Sequence, residues 1–490
     1  MAAHAHRSLR FAALLILLVQ TGALVSAQAV ATPVGAEPAA RQAAVDKVFA
    51  AWNTTTPGCA VGVAEKGTPV LQRAYGMAEL EHAVPNRPET IFEAGSVSKQ
   101  FAAAAVILLA LDGKLSLDDD VRKYVPELPA YEAPVTIRQM LSHTSGLRDW
   151  GNLAAVAGMP RGTRTYTHAH VVDILSRQRA LNFTPGTRWS YSNSGYNLAA
   201  VVVTRVSGMS FAEFSRTRIF EPLKLTSTSW RDDYARVVPG RAIGYSPQGT
   251  TTRFRQNMPF ENVHGNGGLL TTVGDLLKWQ QALITGPFAA NGLAARQQTM
   301  ATLPDGRVLH YGLGVFTGVY HGVPEVNHSG ATAGYRAFLT YYPSADLTVT
   351  VLCNAANANP TQLSRAVSDI YLGERARPDA PRSTTLREAQ GPLVGVTGDA
   401  TYKPSAADLN AFVGTYVSAE AETQLIASIE NGALVLRRRP DALITMRPHS
   451  RDRFEAGAGL GLVTFHRENG RVVALGVTQD RVWDLRFTKR

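Results

Sequence analysis

The chain has 490 residues, 45% of them hydrophobic and 18% charged, a composition that fits a folded globular protein and excludes disordered, collagen-like and low-complexity chains. Basic residues outnumber acidic ones, 49 against 39, for a formal charge of +10. The charges are scattered, however, and the longest basic run, Arg437-Arg438-Arg439, ends an alternating apolar segment; a solvated surface explains this better than a nucleic-acid partner.

Residues 1–27 read as a signal peptide. Arg7 and Arg10 precede an apolar stretch over 11–19, and Val25-Ser26-Ala27 supplies small residues for cleavage. The stretch is too short for a hydrocarbon core about 30 Å thick, so no stable membrane span is expected and the protein is placed outside the cell or in the periplasm. Residues 39–52 predict a helix, followed by two strands over 59–65 and 69–75 joined at Lys66-Gly67-Thr68. An Ala- and Leu-rich helix over 96–111, closed by Asp112-Gly113, is apolar on nearly every side and therefore buried. Helices over 210–220 and 273–283 lie in a loop-rich middle, and strands return over 325–328, 335–342 and 347–353.

Strands at both ends of a helical middle predict one α+β domain over 40–375 whose sheet joins distant segments. A linker over 376–404 loses periodicity. Residues 405–490 then alternate apolar and polar, with Asn431-Gly432 and Asn469-Gly470 as hairpin turns, so a small all-β barrel or sandwich is expected. Cys59 and Cys353 both sit in apolar, strand-like runs and are read as buried small hydrophobes rather than a bridge.

Three short segments carry chemistry-bearing residues. Ser96 and Lys99 stand at i and i+3 at the start of the buried helix, so the amine reaches the hydroxyl while Ser98 points elsewhere. A desolvated lysine can take the serine proton, and the helix N-terminus favours a developing oxyanion. This is the one Ser-x-x-Lys among the nine lysines. Tyr191-Ser192-Asn193 offers a phenol whose ionisation a lysine ammonium would ease, and an amide for a substrate amide. His328-Ser329-Gly330 ends a strand, with Gly330 permitting close approach of a ligand to the backbone. No Gly-x-Ser-x-Gly elbow and no His-Glu-x-x-His occurs, and neither a metal nor any other cofactor is implied.

In this order the three segments resemble the serine β-lactamase and penicillin-binding-protein superfamily, in the branch near class C β-lactamases, D-aminopeptidases and family VIII esterases, where Tyr-x-Asn is the second element. Leu141-Ser142-His143-Thr144-Ser145-Gly146-Leu147 and Gly267-Gly268-Leu269-Leu270-Thr271-Thr272 strengthen the resemblance. It implies a β-lactamase/transpeptidase-like domain, with a central antiparallel sheet flanked by helices and an all-helical region, and a lipocalin-like barrel behind it. It implies Ser96 as nucleophile, Lys99 as its proton partner and Tyr191 as acid and base. The oxyanion hole would be the backbone N–H of Ser96 and Ala331, with Asn193, His328, Ser329 and Gly330 binding substrate.

One departure is the histidine where strict β-lactamases carry the lysine of Lys-Thr-Gly. An ordinary histidine is mostly neutral at pH 7, so carboxylate recognition should weaken there and activity on carboxylate-bearing substrates should rise as pH falls toward 6. Esters or D-amino-acid peptides and amides are the expected substrates, small molecules or cell-wall fragments. A β-lactamase or DD-carboxypeptidase is the second reading. A ligand-binding sensor without turnover is the third, and it has no use for Tyr191. Substrate choice is expected from the loops over 149–184 and the surroundings of Tyr245 and Phe316.

Overall fold

The computed structural model describes residues 36–249, 253–377, 379–380, 398–399, 401–457 and 459–490. The expected signal peptide lies outside the described residues, as does most of the expected linker.

Helix α1 (Ala36–Val48) precedes the hairpin of β1 (Cys59–Glu65) and β2 (Thr68–Tyr75). Lys66 and Gly67 turn it with positive φ at both positions, the geometry that matches strand twist. The buried helix begins as a 3-10 turn, Gly95–Val97, and continues as α2 (Ser98–Leu111), in which Ser98 to Leu109 are all buried. Several later helices went unforeseen, and one changed shape. Helix α3 (Ser194–Ser207) starts directly after Tyr191-Ser192-Asn193, and the expected helix over 210–220 divides into an α segment, Phe211–Ser215, and a π-helical turn, Arg216–Phe220. Helix α4 (Val273–Ile284) follows the sequence reading, capped by Thr272.

Strands β3 (Phe316–Tyr320), β4 (Val323–Thr332), β5 (Tyr335–Tyr342) and β6 (Leu347–Cys353) complete the sheet. The order is β3-β4-β5-β6-β1-β2, antiparallel throughout. Strand β6 is buried at every residue because helices cover both faces: α1 and α5 (Pro360–Leu372) on one, α2 and α4 on the other. The pairing of β1 with β6 sets Cys59 directly opposite Cys353, and the two form a disulfide across 294 residues of chain. This corrects the expectation of two separate thiols: each run read correctly as a buried strand, but their adjacency is a tertiary fact.

Beyond the linker, α6 (Ala406–Phe412) leads into eight strands: β7 (Gly414–Ser418), β8 (Thr423–Glu430), β9 (Ala433–Arg438), β10 (Ala442–Ser450), β11 (Arg453–Ala456), β12 (Gly461–Glu468), β13 (Arg471–Gln479) and β14 (Val482–Lys489). They form a closed up-and-down barrel, sealed where β14 pairs with β7 at Tyr416↔Lys489. Asn431-Gly432 and Asn469-Gly470 make the predicted hairpin turns, all four residues at positive φ. Phe412 of α6 stacks on Phe465 at 4.3 Å between centroids, part of an interior filled with apolar side chains.

The barrel docks on the helical region of the larger domain. Arg148, 3% exposed, pairs with Glu420 at 2.6 Å; Asn182 accepts from Trp483 N at 2.8 Å; and Asn152 donates to Gln479 Oε1 at 2.7 Å. This seating brings the tip of the β13–β14 hairpin, Asp480 and Arg481, into the cleft that holds Ser96.

Candidate active site

The segment before Ser96 is anchored by charge. Glu93, fully buried, accepts from Arg231 Nε at 2.9 Å and Nη2 at 3.1 Å, and from Arg241 Nη2 at 3.3 Å. Three residues on, Ser96 sits in the 3-10 turn, pressed against β4 so closely that only glycines fit. A Cβ at Gly95, where φ is +50°, would lie 2.5 Å from Ala331 N; one at Gly330 would lie 2.0 Å from Ala94 O and 3.0 Å from Ser96 N. The backbone nitrogens of Ser96 and Ala331 therefore lie at one close contact between turn and strand. Gly330→Ala would force strand and turn apart, and a displacement near 1 Å can cost ~100-fold. A fall in kcat/KM of about that size is the expected outcome, read in steady-state assays of the variant.

Lys99 is fully buried. Its Nζ lies 3.1 Å from Ser96 Oγ, 2.9 Å from Asn193 Oδ1 and 2.7 Å from the carbonyl oxygen of Asn266. Burial, reinforced by the Arg481 cation, holds its pKa well below the ordinary lysine value. Ser98 points the other way and accepts from Leu269 N, as the helical spacing predicts.

Asn193 is oriented by Asp149, whose Oδ2 accepts from both its backbone N at 2.8 Å and its Nδ2 at 3.0 Å. Nδ2 thus faces the carboxylate and Oδ1 faces Lys99. Asp149 in turn caps the helix Trp150–Val156, and its own N–H donates to Arg481 O at 3.1 Å. A chain of contacts runs from the barrel hairpin through Asp149 and Asn193 to Lys99.

Burial pushes the Tyr191 phenol up to about 12, against a smaller lowering from the neighbouring Ser96 hydroxyl. The expected easing of its ionisation by a lysine ammonium is not what the site provides: burial outweighs every cation near it, and the phenol keeps its proton at neutral pH. Its ring lies 4.8 Å from the Arg481 guanidinium and 4.2 Å from the His143 ring. His143, from the Leu141 to Leu147 phrase, accepts from Ser192 N at 3.2 Å and so supports the Tyr191 loop from below.

His328 is 1% exposed, its Nδ1 against Ser329 O at 2.6 Å and its Nε2 against the Tyr311 hydroxyl at 3.3 Å. Burial and nearby Lys99 lower its pKa to about 3. The imidazole is neutral across the working pH range, which removes the basis for a rise in activity toward pH 6. Ser329, Gly330 and Ala331 line the cleft, about 480 Å³ in volume, together with Trp189, Phe316 and three arginines, Arg161, Arg336 and Arg481. Tyr245 stands apart, its hydroxyl accepting from Leu80 N. Sequence reasoning missed Asn266, which acts through its carbonyl and leaves no side-chain signature. It also missed Asp149 and the hairpin pair Asp480 and Arg481, which only the docking of the barrel brings near.

Residues 42–372 match the Beta-lactamase family. Penicillin-binding protein 4* of Bacillus subtilis (strain 168) is 27% identical over 417 residues, covering 80% of this chain and 86% of that protein. D-aminopeptidase of Gluconobacter oxydans (strain 621H) is 28% identical over 341 residues, or 68% of this chain; the chain spans 64% of that enzyme's length. Among solved structures, the octameric penicillin-binding protein homologue from Pyrococcus abyssi covers 94% of this chain and 100% of its own, with a TM-score of 0.59 at 23% identity. A D-stereospecific amidohydrolase from Streptomyces sp. covers 68% and 98%, with a TM-score of 0.56 at 22% identity; these two share the fold. The family match runs from within α1 to the end of α5, across the segment that builds and covers the sheet, and on it the chain belongs to the Beta-lactamase family, as an enzyme of the serine-hydrolase kind.

Proposed function

We propose that the protein is an exported hydrolase that forms an acyl-enzyme on Ser96 and acts on esters or on D-amino-acid peptides and amides. The surroundings of the Lys99 amine carry this reading. Asn266 O and Asn193 Oδ1 can only accept, so a neutral amine donates its two hydrogens to them and turns its lone pair to the third neighbour, the Ser96 hydroxyl. Burial favours that neutral form.

Ser96 Oγ attacks the substrate carbonyl as its proton passes to Lys99. The oxyanion forms between the N–H groups of Ser96 and Ala331. Tyr191, protonated at neutral pH and beside Ser96, gives its proton to the leaving group as the scissile bond breaks, and Lys99 restores it. In the second half-reaction the same pair takes a proton from water as the water attacks the acyl carbonyl, and passes it to Ser96 Oγ as the ester bond breaks. A sensor that only binds needs no such group, so Tyr191 favours turnover.

The likeness to a D-aminopeptidase supports D-amino-acid peptides and amides as the substrate class. The leader-like segment over 1–27 supports export, and the Cys59–Cys353 disulfide fits an oxidising compartment.

The test is a parallel time course on a nitrophenyl ester, a D-alanyl anilide and a chromogenic cephalosporin. Ester or anilide turnover that disappears in Ser96→Ala supports the reading. Fast cephalosporin turnover moves the protein to the β-lactamases, and equal rates in both proteins refute Ser96 as nucleophile.

A pH dependence follows from Lys99. A base works in its deprotonated form, so kcat/KM rises with pH through the Lys99 pKa, which lies below the ordinary lysine range. On an uncharged ester the profile should show that ascending limb and keep it at the same pH in His328→Gln. A limb near pH 10, or one that moves with His328, contradicts the assignment.

A further inference from the structure

The barrel's interior is packed with apolar side chains, Phe412, Phe454 and Phe465 among them, and what it sends into the cleft is the β13–β14 turn. That turn is fixed to the catalytic loops at several points. The carbonyl oxygen of Arg481 accepts from Asp149 N and from Asn182 Nδ2, each at 3.1 Å, and the Asp480 carbonyl oxygen accepts from Ser190 Oγ at 3.5 Å, next to Tyr191. The Arg481 guanidinium lies over the Tyr191 ring, 4.8 Å from its centre, with the Asp149 carboxylate 3.9 Å away. Asp149 orients Asn193, and Asn193 Oδ1 meets Lys99 Nζ. One barrel residue thus touches the catalytic tyrosine through its side chain and the support of Lys99 through its backbone.

The electrostatics point the same way. Lys99 Nζ lies 4.9 Å from the centre of the same Tyr191 ring, so the two cations are less than about 10 Å apart. At that range, with an effective dielectric constant of about 20, one charge moves the pKa of another group by about one unit. The other groups facing Lys99 offer no comparable charge. Tyr191 and Tyr196 keep their protons, burial holds His143 and His328 neutral, and Arg161 is committed to Glu261 at 2.9 Å. Asp480, beside Arg481 on the turn, is exposed to solvent. Asp149 is the near carboxylate, and Arg481 is the cation that offsets it.

We propose that Arg481 is a positioning residue of the active site: it seats the Tyr191 ring and sets the field at Lys99, so that the barrel completes the catalytic centre of the larger domain. The inference rests on the acyl-enzyme reading, in which Lys99 accepts the Ser96 proton. Its test follows kcat/KM against pH on an uncharged nitrophenyl ester, at low ionic strength, for the wild-type chain, Arg481→Met and Arg481→Lys. Such an ester gives Arg481 no anion to bind, so the profile reports its effect on the protein's own groups. Removing the cation leaves Asp149 unopposed and favours protonated Lys99, and a base that must be deprotonated then works only at higher pH. In Arg481→Met the ascending limb should move up by about one pH unit, a loss of about tenfold at any pH on the limb. Arg481→Lys should keep the limb near its wild-type place. Added salt should narrow the difference between wild type and Arg481→Met, because the guanidinium is partly exposed. Thermal unfolding of each variant checks that the fold is intact. A limb that stays in place in Arg481→Met, whatever happens to the rate, overturns the proposal, as does an equal displacement in Arg481→Lys. The acyl-enzyme reading is judged apart: it fails if the ester leaves no adduct on Ser96, whereas an adduct with an unmoved limb defeats only the role of Arg481.

Discussion

Lys99→Met should lower kcat/KM by about 10²- to 10⁴-fold, the range in which a positioned general base contributes. Methionine fills the same buried space without an amine, so α2 keeps its packing while Ser96 loses its proton acceptor. Asn193 Oδ1 and Asn266 O lose a donor as well, which loosens the site further. Ser96→Ala should be at least as severe. Because the two residues act as one unit, Ser96→Ala with Lys99→Met should be no worse than Ser96→Ala alone. Losses that multiply in the double variant would mean that Lys99 works on something other than Ser96.

Glu93→Ala should cost about 3–5 kcal/mol of stability, because it strands Arg231 and Arg241 as unpaired cations in the interior. Arg231 is 1% exposed, and its other carboxylate, Glu261 at 3.8 Å, is already held by Arg161. The strand Phe92–Glu93 runs into the Ser96 turn, so activity should fall with stability. Denaturant unfolding of the larger domain measures the loss. A change below about 1 kcal/mol would show that water or a rearranged acid replaces Glu93.

What the sequence disclosed and what it hid divide along local and distant interactions. The hairpin turns at Lys66-Gly67, Asn431-Gly432 and Asn469-Gly470 are set by residues that accept positive φ, and they appear where the pattern puts them. The i, i+3 spacing of Ser96 and Lys99 is equally local. Helix α3 was hidden because it opens with Ser194-Gly195, residues that disfavour helices in isolation; here burial against α2 and the Ser194 hydroxyl bonded to Arg148 O override that preference. The Cys59–Cys353 bridge and the approach of Arg481 to Tyr191 each depend on segments about 290 residues apart. For His328 the residue was found but its state was misjudged, since an ordinary pKa does not survive complete burial beside Lys99.

The central claim is that a carbonyl becomes covalently attached to Ser96. Intact mass spectrometry of protein quenched during turnover of a nitrophenyl ester, followed by peptide mapping, tests it most directly. The account predicts a mass increase equal to the acyl group, located on the peptide that contains Ser96 and absent from Ser96→Ala. An adduct on another residue, or the same adduct in Ser96→Ala, would contradict it.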